Sequence, residues 1–278
     1  MRFQRDTPEV QNWIKSVLVD TDMEMHQVEG YSIKGELVTG VFERFNVNQP
    51  TSALDPRQLQ VSVNRLIDAQ RDEWLAKYQI AKELKVPLYL ILWHDRTEEF
   101  ILLTISLEGD TNNIDCQQVF NSCHDLSIWL KDLKGISVSK RFIEPGRLSF
   151  IDECLRGNGV PWPGNLDAFW FNTDIRKVLA IFEFSRTRKN PVETHDINQY
   201  FSKDFNRWRP LDILRRQLHV PLYLILWSSA ETVVKIHEIG QIRYSGRQGL
   251  EYRTTILIEK DELMSFFHDL YAGLSTRC

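Results

Sequence analysis

The sequence predicts an α/β protein made of two tandem copies of one unit, and three observations carry that prediction. The octapeptide Val86–Trp93 (VPLYLILW) recurs letter for letter as Val220–Trp227. The offset, 220 minus 86 or 134 residues, also aligns Trp74 with Trp208, Leu84 with Leu218 and Ile105 with Ile239. Each octapeptide is a short apolar run of the kind that is buried on both faces of a sheet, and each follows a stretch with helical spacing. Repetition at this period means duplicated domains, because solenoid repeats are much shorter. With 278 residues, 42% of them hydrophobic, the chain fills two cores of about 140 residues each. The expected division is 1–139 and 140–278.

The second copy shows the element order. Leu148, Ile151, Cys154 and Leu155 recur at helical spacing within 147–156, and Gly157-Asn158-Gly159 stops that helix. Pro161-Trp162-Pro163-Gly164 reads as a turn. Two strand-like runs, 165–172 and 177–185, are joined by Thr173-Asp174-Ile175-Arg176 and read as a hairpin. Helical spacing covers 196–218, with an interruption expected at Arg209-Pro210. The buried strand 221–227, a strand at 233–239 and a helix at 260–274 complete the unit. The first copy repeats this order: helix 8–19, strands 25–33 and 36–45, one long helix 56–84, strands 87–93 and 99–106, and helix 116–134. Each copy is expected to be a mixed central sheet flanked by helices.

Composition narrows the function classes. No run of about 18 apolar residues occurs, so no membrane span is expected. Residues 1–10 lack an apolar signal core. Cys116, Cys123, Cys154 and Cys278 have neither metal-site nor disulfide-framework spacing, which reads as a cytoplasmic protein with reduced thiols. No glycine-rich nucleotide loop or Gly-x-Ser-x-Gly elbow is present. The net charge of −4 conceals an asymmetry: residues 1–139 carry 14 basic and 21 acidic side chains, whereas residues 140–216 carry 14 and 10. The clusters Arg186, Arg188 and Lys189, then Arg207 and Arg209, then Arg215 and Arg216, are candidates to meet a phosphate backbone; the alternative is a solvated face of mixed charge.

Those clusters flank two acidic residues on adjacent hairpin strands, Asp167 and Glu183. Two carboxylates side by side at the end of a sheet offer a hard divalent cation its preferred oxygen ligands. Glu183 interrupts the apolar run Ala180-Ile181-Phe182…Phe184, which a strand tolerates only if the charge is paired, exposed or metal-bound. Pairing with Arg186 or Arg176 is the structural alternative. His195-Asp196 reads as a helix start, with Asp196 as N-cap.

Helix, Pro-Gly turn, Asp167 on one strand, Glu183-Phe184-Ser185 on the next, then helix and buried strand, resemble the PD-(D/E)XK nuclease superfamily, the restriction-endonuclease-like fold. The resemblance covers residues 148–227. It implies two tandem restriction-endonuclease-like units and a hydrolase of phosphodiester bonds, with Mg²⁺ or Mn²⁺ held by Asp167 and Glu183. Glu153 on the preceding helix matches an extra acidic residue of many members. The family's lysine, two positions after the glutamate, is Ser185 here, and Lys203 on the next helix is the expected replacement. Aligning Phe42-Glu43 with Phe182-Glu183 places Gln27 opposite Asp167, so the first copy is expected to lack a site and to serve as a built-in dimer partner. Two functions follow: a metal-dependent nuclease acting on DNA in preference to RNA, gripping phosphates through Arg186, Arg188, Lys189, Arg207 and Arg209, or a catalytically inactive binding or scaffold module in a nucleic-acid-processing or defence complex. Protein partners or a homodimer are compatible with either.

Overall fold

The computed structural model describes residues 3–4, 25–50, 53–95, 97–109, 111–134, 149–187, 191–230, 232–246 and 248–276. The expected helix at 8–19 and the cations Arg188 and Lys189 lie outside them. The chain has a mixed α/β fold that divides into two compact units, residues 1–6 with 28–165 and residues 7–27 with 166–278.

In the first unit, β1 (Phe3–Gln4) and β2 (Met25–Lys34) both pair antiparallel with β3 (Leu37–Val47). Gly35, at φ +67°, supplies the left-handed residue of the β2–β3 turn. The helical stretch after β3 is two helices, α1 (Pro56–Ala69) and α2 (Arg71–Leu84), where one long helix was expected. Asp55 caps α1 by accepting from the N–H groups of Arg57 and Gln58, and Pro56 stands at the first helical position, where its missing N–H costs nothing. The break falls at Gln70, at φ −137° and ψ 45°, whose N–H turns back to Ile67 O. Strand β4 (Leu88–Trp93) runs parallel to β3, β5 (Phe100–Glu108) antiparallel to β4, and β6 (Thr111–Phe120) antiparallel to β5. Helix α3 (Cys123–Lys134) follows, so residues 116–120, expected as helix, are strand.

Helix α4 (Phe150–Gly157), begun by Ser149 accepting from the Asp152 N–H, belongs to this first unit. Its Ile151, Cys154 and Leu155 are buried with Phe42, Phe100, Leu126 and Leu130. Cys154 is joined to Cys123 of α3 as a disulfide, with Cα atoms 5.5 Å apart. The expectation of reduced thiols is corrected at these two positions. Cys116 remains a thiol and is exposed.

The second unit has β7 (Gly164–Asn172) antiparallel to β8 (Lys177–Arg186), and β8 parallel to β9 (Leu222–Trp227). Strand β10 (Val233–Arg243) is antiparallel to β9, and β11 (Gly249–Glu259) antiparallel to β10. Between β8 and β9 come a 3₁₀ turn (Ile197–Tyr200) and α5 (Phe205–Leu218); α6 (Leu263–Ser275) ends the unit. The expected helix 196–218 is therefore interrupted before Phe205, and α5 runs through Pro210. Alternate residues of a strand face opposite ways. On β8 this sends Ala180, Phe182 and Phe184 into a core with Trp170, Tyr223, Ile225, Leu263 and Phe267, and Ile181 and Glu183 to the other face. Trp74 and Trp208, the recurring pair, are fully buried.

Candidate functional site

The β7–β8 register determines how the two carboxylates meet. Ala168 pairs with Phe182, so one step further along antiparallel strands Asp167 stands opposite Glu183. Directly opposed residues project to the same face of a sheet, and Asp167 and Glu183 therefore share the face away from the Phe182 core. Asp167 Oδ2 accepts the N–H of Phe184 at 3.0 Å, which ties its carboxylate across the ribbon. Glu183 is buried, at 5% exposure.

A charge this deep needs a counter-charge, and α5 provides it. Arg207 donates from Nε to Glu183 Oε1 and from Nη2 to Phe184 O at 2.9 Å. Its guanidinium also lies 5.3 Å from the ring centre of Trp208. Burial works against the charge on Arg207, but the carboxylates of Glu183, Asp167 and Asp204 outweigh it and hold the pKa above the ordinary guanidinium value. The result is an acidic pair of which Glu183 is matched by a cation from within the fold.

The other expected site residues are dispersed. Glu153 is exposed on α4, an element of the first unit. Lys203 is exposed in the turn before α5, and the cation that meets Glu183 is instead Arg207, one helical turn later. Ser185, where the resemblance expects a lysine, is half-buried. Arg186 donates to Ser229 Oγ at 2.7 Å and lies 5.4 Å from the Trp227 ring centre. Arg209 is half-buried on α5. Of the expected phosphate-gripping residues within the described ones, Arg207 is turned inward onto Glu183 and Arg186 is held at the end of β9.

The first unit is not blank. Gly30 pairs with Phe42, so the same step places Glu29, not Gln27, opposite Glu43. The Glu29 N–H donates to Glu43 Oε1 at 3.2 Å. The Lys77 ammonium of α2 lies 3.0 Å from Glu43 Oε2 and 2.5 Å from Glu73 Oε1, with Lys77 and Glu43 at 1% and 0% side-chain exposure. Arg44 bridges Glu29 and Asp152, at 3.3 and 2.8 Å. The β-bulges also correspond, falling between Ser32 and Ile33 on β2 and between Trp170 and Phe171 on β7. Counting from the bulge rather than from the Phe-Glu pair places Glu29 in line with Asp167, and the bulge is not visible in the sequence alone.

A divalent cation requires several oxygen donors facing an open coordination site. Here two carboxylates converge, and one already accepts from a guanidinium whose positive charge would repel the ion. Among the described residues no group of three or more His, Cys, Asp or Glu side chains is arranged to hold a metal. As arranged, the set receives the guanidinium of Arg207. Among the same residues no helix is long and apolar enough to cross a membrane.

No family model and no curated protein matches the chain. Among solved structures, the crystal structure of a sex pheromone staph-cAM373 precursor aligns with 93% of this chain and 84% of its own, at 10% identity and a TM-score of 0.19. That similarity is too low to indicate a shared fold.

Proposed function

We propose that this chain is a nuclease-derived α/β protein that acts by binding nucleic acid, DNA in preference to RNA, and does not cleave it. One observation carries the reading: Arg207 sits on the Glu183 carboxylate and on Phe184 O, where the ancestral chemistry would need a metal ion. Ser185 in place of the motif lysine supports it, because serine neither polarises an attacking water nor stabilises a developing negative charge as a lysine does. The hairpin, helix and parallel strand of the second unit support descent from the PD-(D/E)XK superfamily, and the matching bulges support duplication. The excess of basic residues over 140–216 supports a polyanionic partner. In a reducing cytoplasm, the setting this reading takes, the Cys123–Cys154 bond would open.

The test uses purified full-length protein, Mn²⁺ titration calorimetry, and cleavage of a duplex DNA and a single-stranded RNA. The wild type is expected to show no Mn²⁺ heat and no cleavage, while binding the duplex in a salt-dependent way. Arg207→Ala is expected to gain weak Mn²⁺ binding that Glu183→Gln removes. Cutting by the wild type that Asp167→Asn and Glu183→Gln abolish would restore the metal-dependent nuclease; absence of any duplex binding would remove the nucleic-acid partner.

A further inference from the structure

Helix α4 is eight residues long, too short to persist without tertiary support. Three devices hold it to the first unit. Ile151 and Leu155 enter the core beside Phe42, Leu126 and Leu130. Asp152 Oδ1 takes Arg44 Nη1 at 2.8 Å. The Cys123–Cys154 bond joins it covalently to α3, closing a separation of 31 residues. Arg44 lies 4.6 Å from the ring centre of Trp162, whose Nε1 donates to Glu29 O at 2.9 Å. The docking of α4 therefore determines what Arg44 contacts beside Glu29. By contrast, β4 is paired along its whole length with β3 and β5, and these ladders hold its backbone even though its Ile91 and Trp93 share the core that Ile151 and Leu155 enter.

We propose that the Cys123–Cys154 disulfide is a reducible latch on α4. Closed, it keeps the helix on α3 and Asp152 on Arg44; opened, it releases α4 from the first unit while the sheet stays folded. Each cysteine is 8% exposed, so a reductant reaches the bond through local opening of α4. The reductant is a dithiol. Its thiolate attacks one Sγ, the S–S bond breaks to give a mixed disulfide and one cysteine thiolate, and its second thiol then displaces the other cysteine. The dithiol leaves as a cyclic disulfide, having supplied two electrons, and both cysteines end as thiols after protonation.

The experiment is hydrogen exchange with mass spectrometry on the full chain, oxidised and after dithiothreitol, with a non-reducing peptide map. The map is expected to contain a linked Cys123–Cys154 peptide. Reduction is expected to speed exchange over 150–157 by about tenfold or more while leaving 88–93 protected, and oxidised glutathione is expected to restore protection. Cys154→Ser is expected to fold and to match the reduced protein. The latch is overturned by absence of the linked peptide, by exchange over 150–157 that ignores reduction, or by loss of protection at 88–93 or failure of Cys154→Ser to fold, either of which would make the bond a staple of the whole unit.

Discussion

His237 shows how the second unit accommodates a titratable group with no part in the acidic pair. It is 4% exposed on β10. Its ring stacks on Tyr252 at 3.8 Å between centres, and Nδ1 meets Thr255 Oγ1 at 2.8 Å. Burial lowers its pKa, the Lys235 ammonium on the same strand lowers it further, Asp196 on the preceding segment works the other way, and the result is about 4. Lys235 itself donates to His195 O at 3.0 Å, so the cation is fixed close by. Because the folded-state pKa lies below the ordinary value of 6.5, the unfolded chain takes up the proton first as pH falls. The stability contributed by a neutral His237 is complete above about pH 6.5 and is lost progressively down to about pH 4, a loss of about 3 kcal/mol by linkage. Urea unfolding at pH 7 and pH 4.5 is expected to show that loss, and His237→Gln to flatten the difference by most of it; an unchanged pH dependence in the variant would place the proton uptake elsewhere.

Between elements, the same electrostatic problem is solved twice with different residues. Each glutamate on the second strand of a hairpin, Glu43 on β3 and Glu183 on β8, is held by a cation from the helix that precedes the next strand, α2 and α5 respectively. The cations occupy different helical positions: Lys77 comes three residues after Trp74, whereas Arg207 comes one before Trp208. A fully buried pair loses most when one partner is removed, because the remaining charge is stranded. Lys77→Met alone is expected to cost about 3–5 kcal/mol, and the double change Lys77→Met with Glu43→Leu to recover most of it, read by urea denaturation. Equal costs for the single and double variants would show that the pair does not couple α2 to β3. Local pattern explains why some elements were legible and others not. Strands β4 and β9 are uniformly apolar, and the hairpin that opposes Asp167 to Glu183 follows from two strand-like runs around a polar turn. Strand β6 pairs with β5 and strand β11 with β10, and both are largely exposed, so TNNIDCQQVF carries no apolar alternation to reveal a strand. The break at Gln70 has no proline or glycine to mark it. Helical spacing marks α4 as the first element of the second copy, yet its apolar face packs with Phe42. Arg207 read as a phosphate ligand because helix phase against a sheet is a tertiary property that no short stretch of sequence encodes.

For the whole molecule, the charge distribution limits how tightly a polyanion is gripped. The net charge is −4, and the basic excess over residues 140–216 is 14 minus 10, or four. Within that excess, Arg207 is committed to Glu183, and Arg215 contacts Asp212 at 2.8 Å and Ile239 O at 3.0 Å. Arg186 meets Ser229, and Arg216, although 55% exposed, also contacts Asp212 at 3.3 Å. Cations already paired must break those contacts to reach phosphate, so few counterions are released on binding. Each phosphate neutralised on duplex DNA contributes a slope of about −0.9 to log K against log salt. Fluorescence anisotropy with a labelled duplex of about 20 base pairs is therefore expected to give a slope no steeper than about −3, and Arg207→Ala is expected to leave it unchanged, since that guanidinium faces Glu183 and not the duplex. A slope of about −5 or steeper, or one that flattens by about one in Arg207→Ala, would mean that the arginines leave their carboxylates when DNA arrives and that the internal pairing is a resting arrangement.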